Sequence, residues 1–175
     1  ANYIHYPGTL IAAQGSYYLE RFEKKMNSNP MYGRVEIVNL DSTLAKPNSV
    51  DAVLTFRNLH NWLGPEMDSI FRNSFIALKP GGLFGVVEHR AKPGTDIEKM
   101  KSSGYVTEGH AIEVALKYGF ELVAKSEINA NPKDTKDYPK GVWTLPPRLR
   151  LDDVDRDKYK SIGESDRMTL LFRKP

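Results

Sequence analysis

Residues 48–82 decide the fold of this chain, and they read NSVDAVLTFRNLHNWLGPEMDSIFRNSFIALKPGG. The run from Val50 to Phe56 has the length and apolar content of a strand that is buried on both faces. Apolar side chains recur at helical spacing from Pro65 to Ala77, and a Pro-Gly-Gly turn then opens a second buried strand over Leu83 to His89. The segment therefore predicts a strand, a helix and a further strand, which is the repeating unit of parallel sheets.

The same alternation extends along the rest of the chain. Further strands are predicted at 10–13, 35–40, 120–128 and 168–172, and further helices at 17–26 and 107–118. A Pro-rich, charged stretch at about 129–160 separates the last two strands, and we expect it to run over the surface. The sequence predicts one α/β domain over residues 1–175, a three-layer, doubly wound fold whose mostly parallel sheet ends in an antiparallel carboxyl-terminal edge hairpin.

Composition narrows the functional classes. The 175 residues carry a net charge of +3, and the charges are interspersed, which does not indicate a nucleic-acid partner. No apolar run approaches the roughly 18 residues of a membrane span, so no membrane partner is expected. The absence of cysteine excludes disulfides, thiolate zinc sites and a Cys nucleophile, and it is compatible with a reducing compartment. We expect a soluble, cytoplasmic protein.

Polar side chains follow four of the predicted strands directly. They are Gln14, Asp41, the stretch 57–61 and the pair His89-Arg90. Ligands of doubly wound sheets bind outside the carboxyl ends of the strands, and neighbouring strands would bring two histidines and two arginines together there. Metal binding is not expected, because arginines oppose a cation, and Glu88 is a weak candidate for a third ligand since it alternates to the opposite face from His89.

Four strings carry a resemblance to a known family. They are TFRNLHNW at 55–62, EHRA at 88–91, GVWTLPP at 141–147 and ESDRM at 164–168. Together with the strand and turn around LKPGG at 78–82, they resemble class I S-adenosylmethionine-dependent methyltransferases, and specifically a bacterial group of predicted methyltransferases with unassigned substrate. The resemblance implies a Rossmann-like methyltransferase fold, S-adenosylmethionine as the cofactor and methyl transfer to a small molecule, which the arginines suggest is anionic.

The resemblance also assigns roles to residues. Gln14 stands where these enzymes carry an acid for the ribose hydroxyls, Asp41 with Ser42 matches the adenine-binding place, and Arg57 with Asn58 faces the methyl donor. Among the catalytic candidates, His60 or His89 would act as the base, and Arg57 or Arg90 would hold an anionic acceptor. Two structural alternatives stay open: His89 satisfying a buried group, and Arg90 pairing with a surface acid.

The family's Gly-rich loop, which holds the amino-acid end of the cofactor, does not precede these strings. We therefore expect an amino-terminally truncated version of the fold that binds S-adenosylmethionine weakly or not at all. The alternative is a non-catalytic interaction or assembly module. Removing a central strand would leave open edges, so either 10–13 pairs beside Val50 to Phe56 or a second chain closes the sheet, and a homo-oligomer is expected.

Overall fold

The computed structural model describes residues 10–33, 35–40 and 42–175. The strands within these residues are β1 Leu10–Gln14, β2 Val35–Asn39, β3 Val50–Phe56, β4 Leu78–His89, β5 Glu121–Ser126 and β6 Arg167–Arg173. The α-helices are α1 Ser16–Asn27, α2 Pro65–Ala77, α3 Ile97–Ser103, α4 Glu108–Lys117 and α5 Arg156–Ile162. None of the described helices is long and apolar enough to cross a membrane.

The strands form two sheets. β1 and β2 pair in parallel, and a second sheet has the order β3-β4-β6-β5. β3 and β4 are parallel, whereas β6 runs antiparallel to both β4 and β5. The α/β class with parallel strands and an antiparallel carboxyl-terminal hairpin is therefore confirmed. Of the two alternatives for closing the sheet, the pairing of 10–13 beside β3 is not seen, because β1 pairs with β2 alone among the described strands.

The core lies between the four-stranded sheet and helices α2 and α4. Pro65 begins α2, and its residues Met67, Ile70 and Phe71 are buried at helical spacing. Phe84 of β4 meets the ring of Phe71 edge-on, with the ring centroids 5.0 Å apart. Such aromatic pairs add to the stabilisation that burial of their apolar surface provides, and this one joins α2 to β4.

One face of β3 is open, which corrects the prediction of a strand buried on both faces. Thr55 is buried, but Leu54 and Phe56 are 61% and 58% exposed. Successive side chains of a strand point to opposite faces, so only the side of β3 that carries Thr55 joins the core. The apolar run was correct as a strand, but length and composition do not reveal whether a second layer covers it.

The stretch predicted as a surface excursion is partly buried. Val142 and Leu145 are buried, and the Asp134 carboxylate accepts hydrogen bonds from the Tyr105 hydroxyl and the backbone N–H of Asp166. Helix α5 also begins within this stretch. The excursion therefore packs onto the carboxyl end of the sheet, and its buried contacts come from residues far apart in sequence, which local periodicity does not report.

Candidate functional site

The exit of β3 turns sharply toward β4. Arg57 has a φ of 57°, and its backbone N–H donates to the carbonyl of Val87 at 2.7 Å. A non-glycine residue in this left-handed region is uncommon and often marks a site of function. The following 3-10 helix, Leu59–Asn61, buries Leu59 in the core, and this places His60 over the end of β4.

Glu88 is the centre of the site. Its side chain is 0% exposed, and Oε1 accepts from His60 Nδ1 at 3.0 Å and from the backbone N–H of His89 at 2.7 Å. Its second oxygen accepts from the backbone N–H of His60 at 3.2 Å. A carboxylate accepts only, so Nδ1 of His60 carries the hydrogen and Nε2 presents a lone pair.

His89 lies beside His60 on the neighbouring strand. The two ring centroids are 5.4 Å apart, and Nδ1 of His89 shares a hydrogen bond of 2.5 Å with the Ser165 hydroxyl. Burial lowers the pKa of His89 to about 4, although the adjacent Glu88 opposes that shift. The imidazole of His89 is therefore neutral at neutral pH. Trp143 also packs against His60, edge-on and at 6.0 Å between ring centroids.

Arg90 is fully engaged by carboxylates. Its guanidinium donates to both oxygens of Asp166 at 3.0 and 2.9 Å and to both oxygens of Glu127 at 2.8 and 2.6 Å. The hydrogen bonds with Glu127 and Asp166 raise the pKa of Arg90 further above its usual value. This arrangement corrects the interpretation of Arg90 as an anion-binding group. The paired N–H groups of its guanidinium all donate to Asp166 and Glu127, and no such pair is left for a ligand. Arg90 instead ties β4 to β6.

A cavity of about 390 Å³ opens at the carboxyl ends of β3 and β4. Its lining residues are Phe56, Arg57, Val87, Asn129, Glu164 and Arg167. One nitrogen of the Arg167 guanidinium pairs with Glu164, while its buried Nε has no hydrogen-bond partner. Arg57 forms no side-chain ion pair within the described part of the chain. Among the described residues, the cavity is therefore lined by the guanidinium of Arg57, which has no ion-pair partner, and by that of Arg167, which keeps one unused N–H beside its pair with Glu164.

The predicted cofactor residues are spread over both sheets. Gln14 ends β1, where its carbonyl accepts from the backbone N–H of Leu40 at 2.9 Å. The Ser42 hydroxyl donates to the carbonyl of Asn39 at 2.8 Å in the turn after β2. Asn58 lies at the exit of β3 with its side chain exposed. Asp41 lies outside the described residues. Each described candidate stands at the carboxyl end of a parallel strand, as predicted.

Sequence reasoning weighed Glu88 only as a weak metal ligand and gave Arg167 no role. The alternation argument was correct for the strand, since Glu88 is on the buried face and His89 on the more open one. Alternation did not show, however, that the carboxylate reaches the backbone of His89 and the ring of His60. A usable signal was present: an acid inside the apolar run LFGVVEH needs buried partners, which the nearest polar strand exit supplies.

The fold has clear relatives among solved structures. The cyclase SpnF has a TM-score of 0.62 and 17% identity, covering 94% of this chain and 65% of that one. A sarcosine dimethylglycine methyltransferase from Galdieria sulphuraria has a TM-score of 0.63 and 12% identity, covering 95% and 69%. Geranyl diphosphate methyltransferase, solved with S-adenosylmethionine, has a TM-score of 0.62 and 8% identity, covering 98% and 71%.

These likenesses define the fold of the chain as that of class I S-adenosylmethionine-dependent methyltransferases. No family model matches the sequence, and no curated protein sequence is significantly similar to it. The chain spans 65% to 71% of the length of the three structures named above. One of them is a cyclase, so the fold by itself does not specify the reaction.

Proposed function

We propose that this protein takes part in methyl transfer from S-adenosylmethionine to an anionic small molecule. The observation that carries the proposal is the cavity between Arg57 and Arg167 at the carboxyl ends of β3 and β4. In open α/β sheets this is where ligands bind, and guanidinium groups match carboxylate and phosphate oxygens in geometry and charge. The methyltransferase fold supplies the reaction class, and the two arginines supply the class of acceptor.

The chemistry requires positioning and the removal of one proton. The methyl group leaves the sulfonium sulfur as an acceptor oxygen or nitrogen bonds to it, and the acceptor loses its proton. His60 is the stronger candidate for the base, because Glu88 fixes its Nδ1 hydrogen and leaves the Nε2 lone pair available. His89 is the second candidate. Gln14, Asp41 and Ser42 are proposed for the adenosine part of the cofactor, and Asn58 for the stretch that faces the methyl donor.

Binding of the methyl donor tests the first part of the proposal. We expect calorimetric titration of this chain with S-adenosylmethionine to show weak or no binding, since each missing polar anchor costs about 1–3 kcal/mol. A natural form that carries a Gly-rich strand, loop and helix ahead of Leu10 is expected to bind the donor and to lose binding on Asp41→Ala. Tight stoichiometric binding by this chain would contradict the first expectation. A longer form that does not bind would contradict the methyltransferase proposal.

The acceptor class has its own test. In the donor-binding form, labelled methyl transfer would be compared between carboxylate- or phosphate-bearing small molecules and their neutral amide or ester analogues. Arg57→Gln and Arg167→Gln are each expected to raise KM for the anionic acceptor about tenfold to a hundredfold, since each removes a charge-assisted hydrogen bond worth about 1.5–3 kcal/mol. Arg72→Gln is the matched control, because Arg72 is exposed on α2, away from the cavity. Equal transfer to neutral analogues would contradict the anionic acceptor.

The open face of β3 favours a second candidate function, an assembly module. Leu54 and Phe56 present apolar surface beside a strand edge, and such surfaces commonly pair with another chain. A homo-oligomer closed through β3 is therefore proposed. Sedimentation equilibrium is expected to show association that Leu54→Lys weakens, with Leu116→Lys on the exposed side of α4 as the control. A stable monomer at every concentration would reject this candidate.

A further inference from the structure

We propose that His60, Glu88 and His89 form a binding site for a divalent transition-metal ion such as Zn²⁺. The inference goes beyond methyl transfer and does not rest on it. Each of the three side chains offers one ligand atom, and these atoms all lie within 4.8 Å of one another. Two imidazoles and one carboxylate are a donor set that zinc and related ions use in proteins, with a further position left for water or a ligand.

The geometry is close to that of a three-ligand site. His60 Nδ1 and Glu88 Oε1 are 3.0 Å apart. Metal–ligand bonds of about 2.0–2.2 Å place neighbouring donor atoms roughly 3–3.5 Å from each other. The ion would take the place of the hydrogen that His60 and Glu88 now share, and small side-chain rotations would close the remaining distances. With Nδ1–H of His89 donating to the Ser165 hydroxyl, Nε2 keeps its lone pair for the ion and the ring is held in place, as metal-binding histidines commonly are by an outer partner.

Electrostatics also favours a cation at this position. Glu88 is fully buried, and among the described residues its ion-pair partner is His60, with no lysine or arginine against it. A buried carboxylate without a permanent cation is costly, and metal coordination is one of the ways proteins compensate for it.

The arginines nearby do not cancel this attraction. The charge of Arg90 is taken up by Asp166 and Glu127, and that of Arg167 is paired with Glu164. Arg57 is exposed, so solvent screens its charge. Two arguments from the sequence were against a metal ion: the position of Glu88 and the opposing arginines. Neither argument holds in the structure.

The ion and the proposed base exclude each other. A metal on Nδ1 of His60 moves the ring hydrogen to Nε2, and the Nε2 lone pair is then no longer available for the acceptor's proton. Zn²⁺ would consequently slow any methyl transfer that uses His60 as the base. Metal binding itself is measured without a methyl donor or an acceptor, so failure of one proposal is distinguishable from failure of the other.

The test is a titration of the chelator-treated chain with Zn²⁺ by calorimetry and with Co²⁺ by visible absorption. We expect one saturable site per chain and a rise in Tm on addition of Zn²⁺. Glu88→Gln and His89→Gln are each expected to weaken binding at least about tenfold. His110→Gln is the control, because His110 lies in a separate cavity near α2 and α4 and should bind as the unaltered chain does.

Folding of each variant is checked by circular dichroism, and His89→Gln keeps the test valid if Glu88→Gln does not fold, because His89 is only partly buried. Co²⁺ adds a readout that depends on the ligands themselves, since nitrogen and oxygen donors in a tetrahedral site give a characteristic spectrum. No saturable binding, binding that persists unchanged in the cluster variants, or an equal loss in His110→Gln would each overturn the proposal.

Discussion

Glu88 sets the local stability of the site as well as its chemistry. Three donors converge on its carboxylate: two backbone N–H groups and the ring of His60. Glu88→Gln keeps the shape but turns an amide NH₂ toward at least one of these donors. We expect the free energy of unfolding to fall by about 1–3 kcal/mol, the cost of an unsatisfied buried polar group. Urea denaturation would measure it, with exposed Glu113→Gln as a control expected to change little.

The residues of the site were predictable to different degrees. The approach of His60 to His89 followed from one rule, that the carboxyl ends of neighbouring parallel strands meet at the same edge. The engagement of Arg90 did not, because Glu127 and Asp166 are 37 and 76 residues away and lie on parts of the chain whose packing the sequence does not report. Strand alternation gives the face of a residue, but not how far a long side chain reaches around the strand.

At the scale of elements, Gly141 joins the buried stretch 141–145 to α3. It has a φ of 55°, and a Cβ at this position would lie 2.1 Å from the carbonyl oxygen of Ser103. Gly94 is the matched position, since it has a φ of 79° but no atom within 4 Å of the corresponding Cβ. We expect Gly94→Ala to cost about 1–2 kcal/mol, the left-handed backbone penalty alone.

Gly141→Ala should cost clearly more than Gly94→Ala, because it adds an overlap with backbone that cannot rotate away. Chemical denaturation of the two variants gives the difference directly. Equal losses of stability would mean that the stretch 141–145 can move away from α3 without lowering the free energy of unfolding. The packing of Val142 and Trp143 would then not be what keeps this stretch against α3.

Asp166 joins β6 to the stretch that covers the site. Burial raises the pKa of Asp166, but hydrogen bonds from Arg90 and Lys136 outweigh burial and lower it from 3.8 to about 2. A carboxylate whose pKa is lower in the folded than in the unfolded state stabilises the fold at pH values above its unfolded-state pKa. That contribution is lost as the pH falls toward the folded-state pKa. We expect up to about 2 kcal/mol of stability to be lost between pH 4 and pH 2. Asp166→Asn should remove this part of the pH dependence, whereas exposed Asp153→Asn should retain it, as measured by urea denaturation at each pH.

The elements themselves were largely predictable, and the exceptions have a physical reason. β3 and α2 begin and end at the predicted residues, because a seven-residue apolar run and an apolar stripe ending before Pro-Gly-Gly are strong local signals. α3 has seven residues and was not predicted, since it is too short for a helical repeat to stand out. It depends on the Asp96 side chain, which caps it by accepting from the backbone N–H of Lys99 at 2.8 Å.

At the scale of the whole molecule, the fold is retained although 83% or more of aligned positions differ from those of the three structural relatives, whose identities are 17%, 12% and 8%. The pattern of strand faces and helix stripes is what these proteins share, because many apolar side chains can fill the same layers. The sequence could therefore indicate the class of fold. It could not indicate that the described strands divide into two sheets, since strand pairing depends on which neighbours are present.

One edge of β3 pairs with no other described strand, and this open edge gives a prediction about the whole assembly. Arg57 donates its N–H to β4, and alternate residues of a strand point their N–H groups to opposite sides, so Val53 and Thr55 face β4 while Leu54 and Phe56 face away from it. In the isolated chain we expect the amides of Leu54 and Phe56 to exchange with solvent much faster than those of Val53 and Thr55, as followed by NMR hydrogen exchange. Pairing of another strand with β3, from a second copy or from a longer form, should slow exchange at Leu54 and Phe56 and leave Val53 and Thr55 unchanged. Uniformly slow exchange along β3 at high dilution, where copies dissociate, would contradict the open edge. It would mean that acceptors within the same chain bind the N–H groups of Leu54 and Phe56.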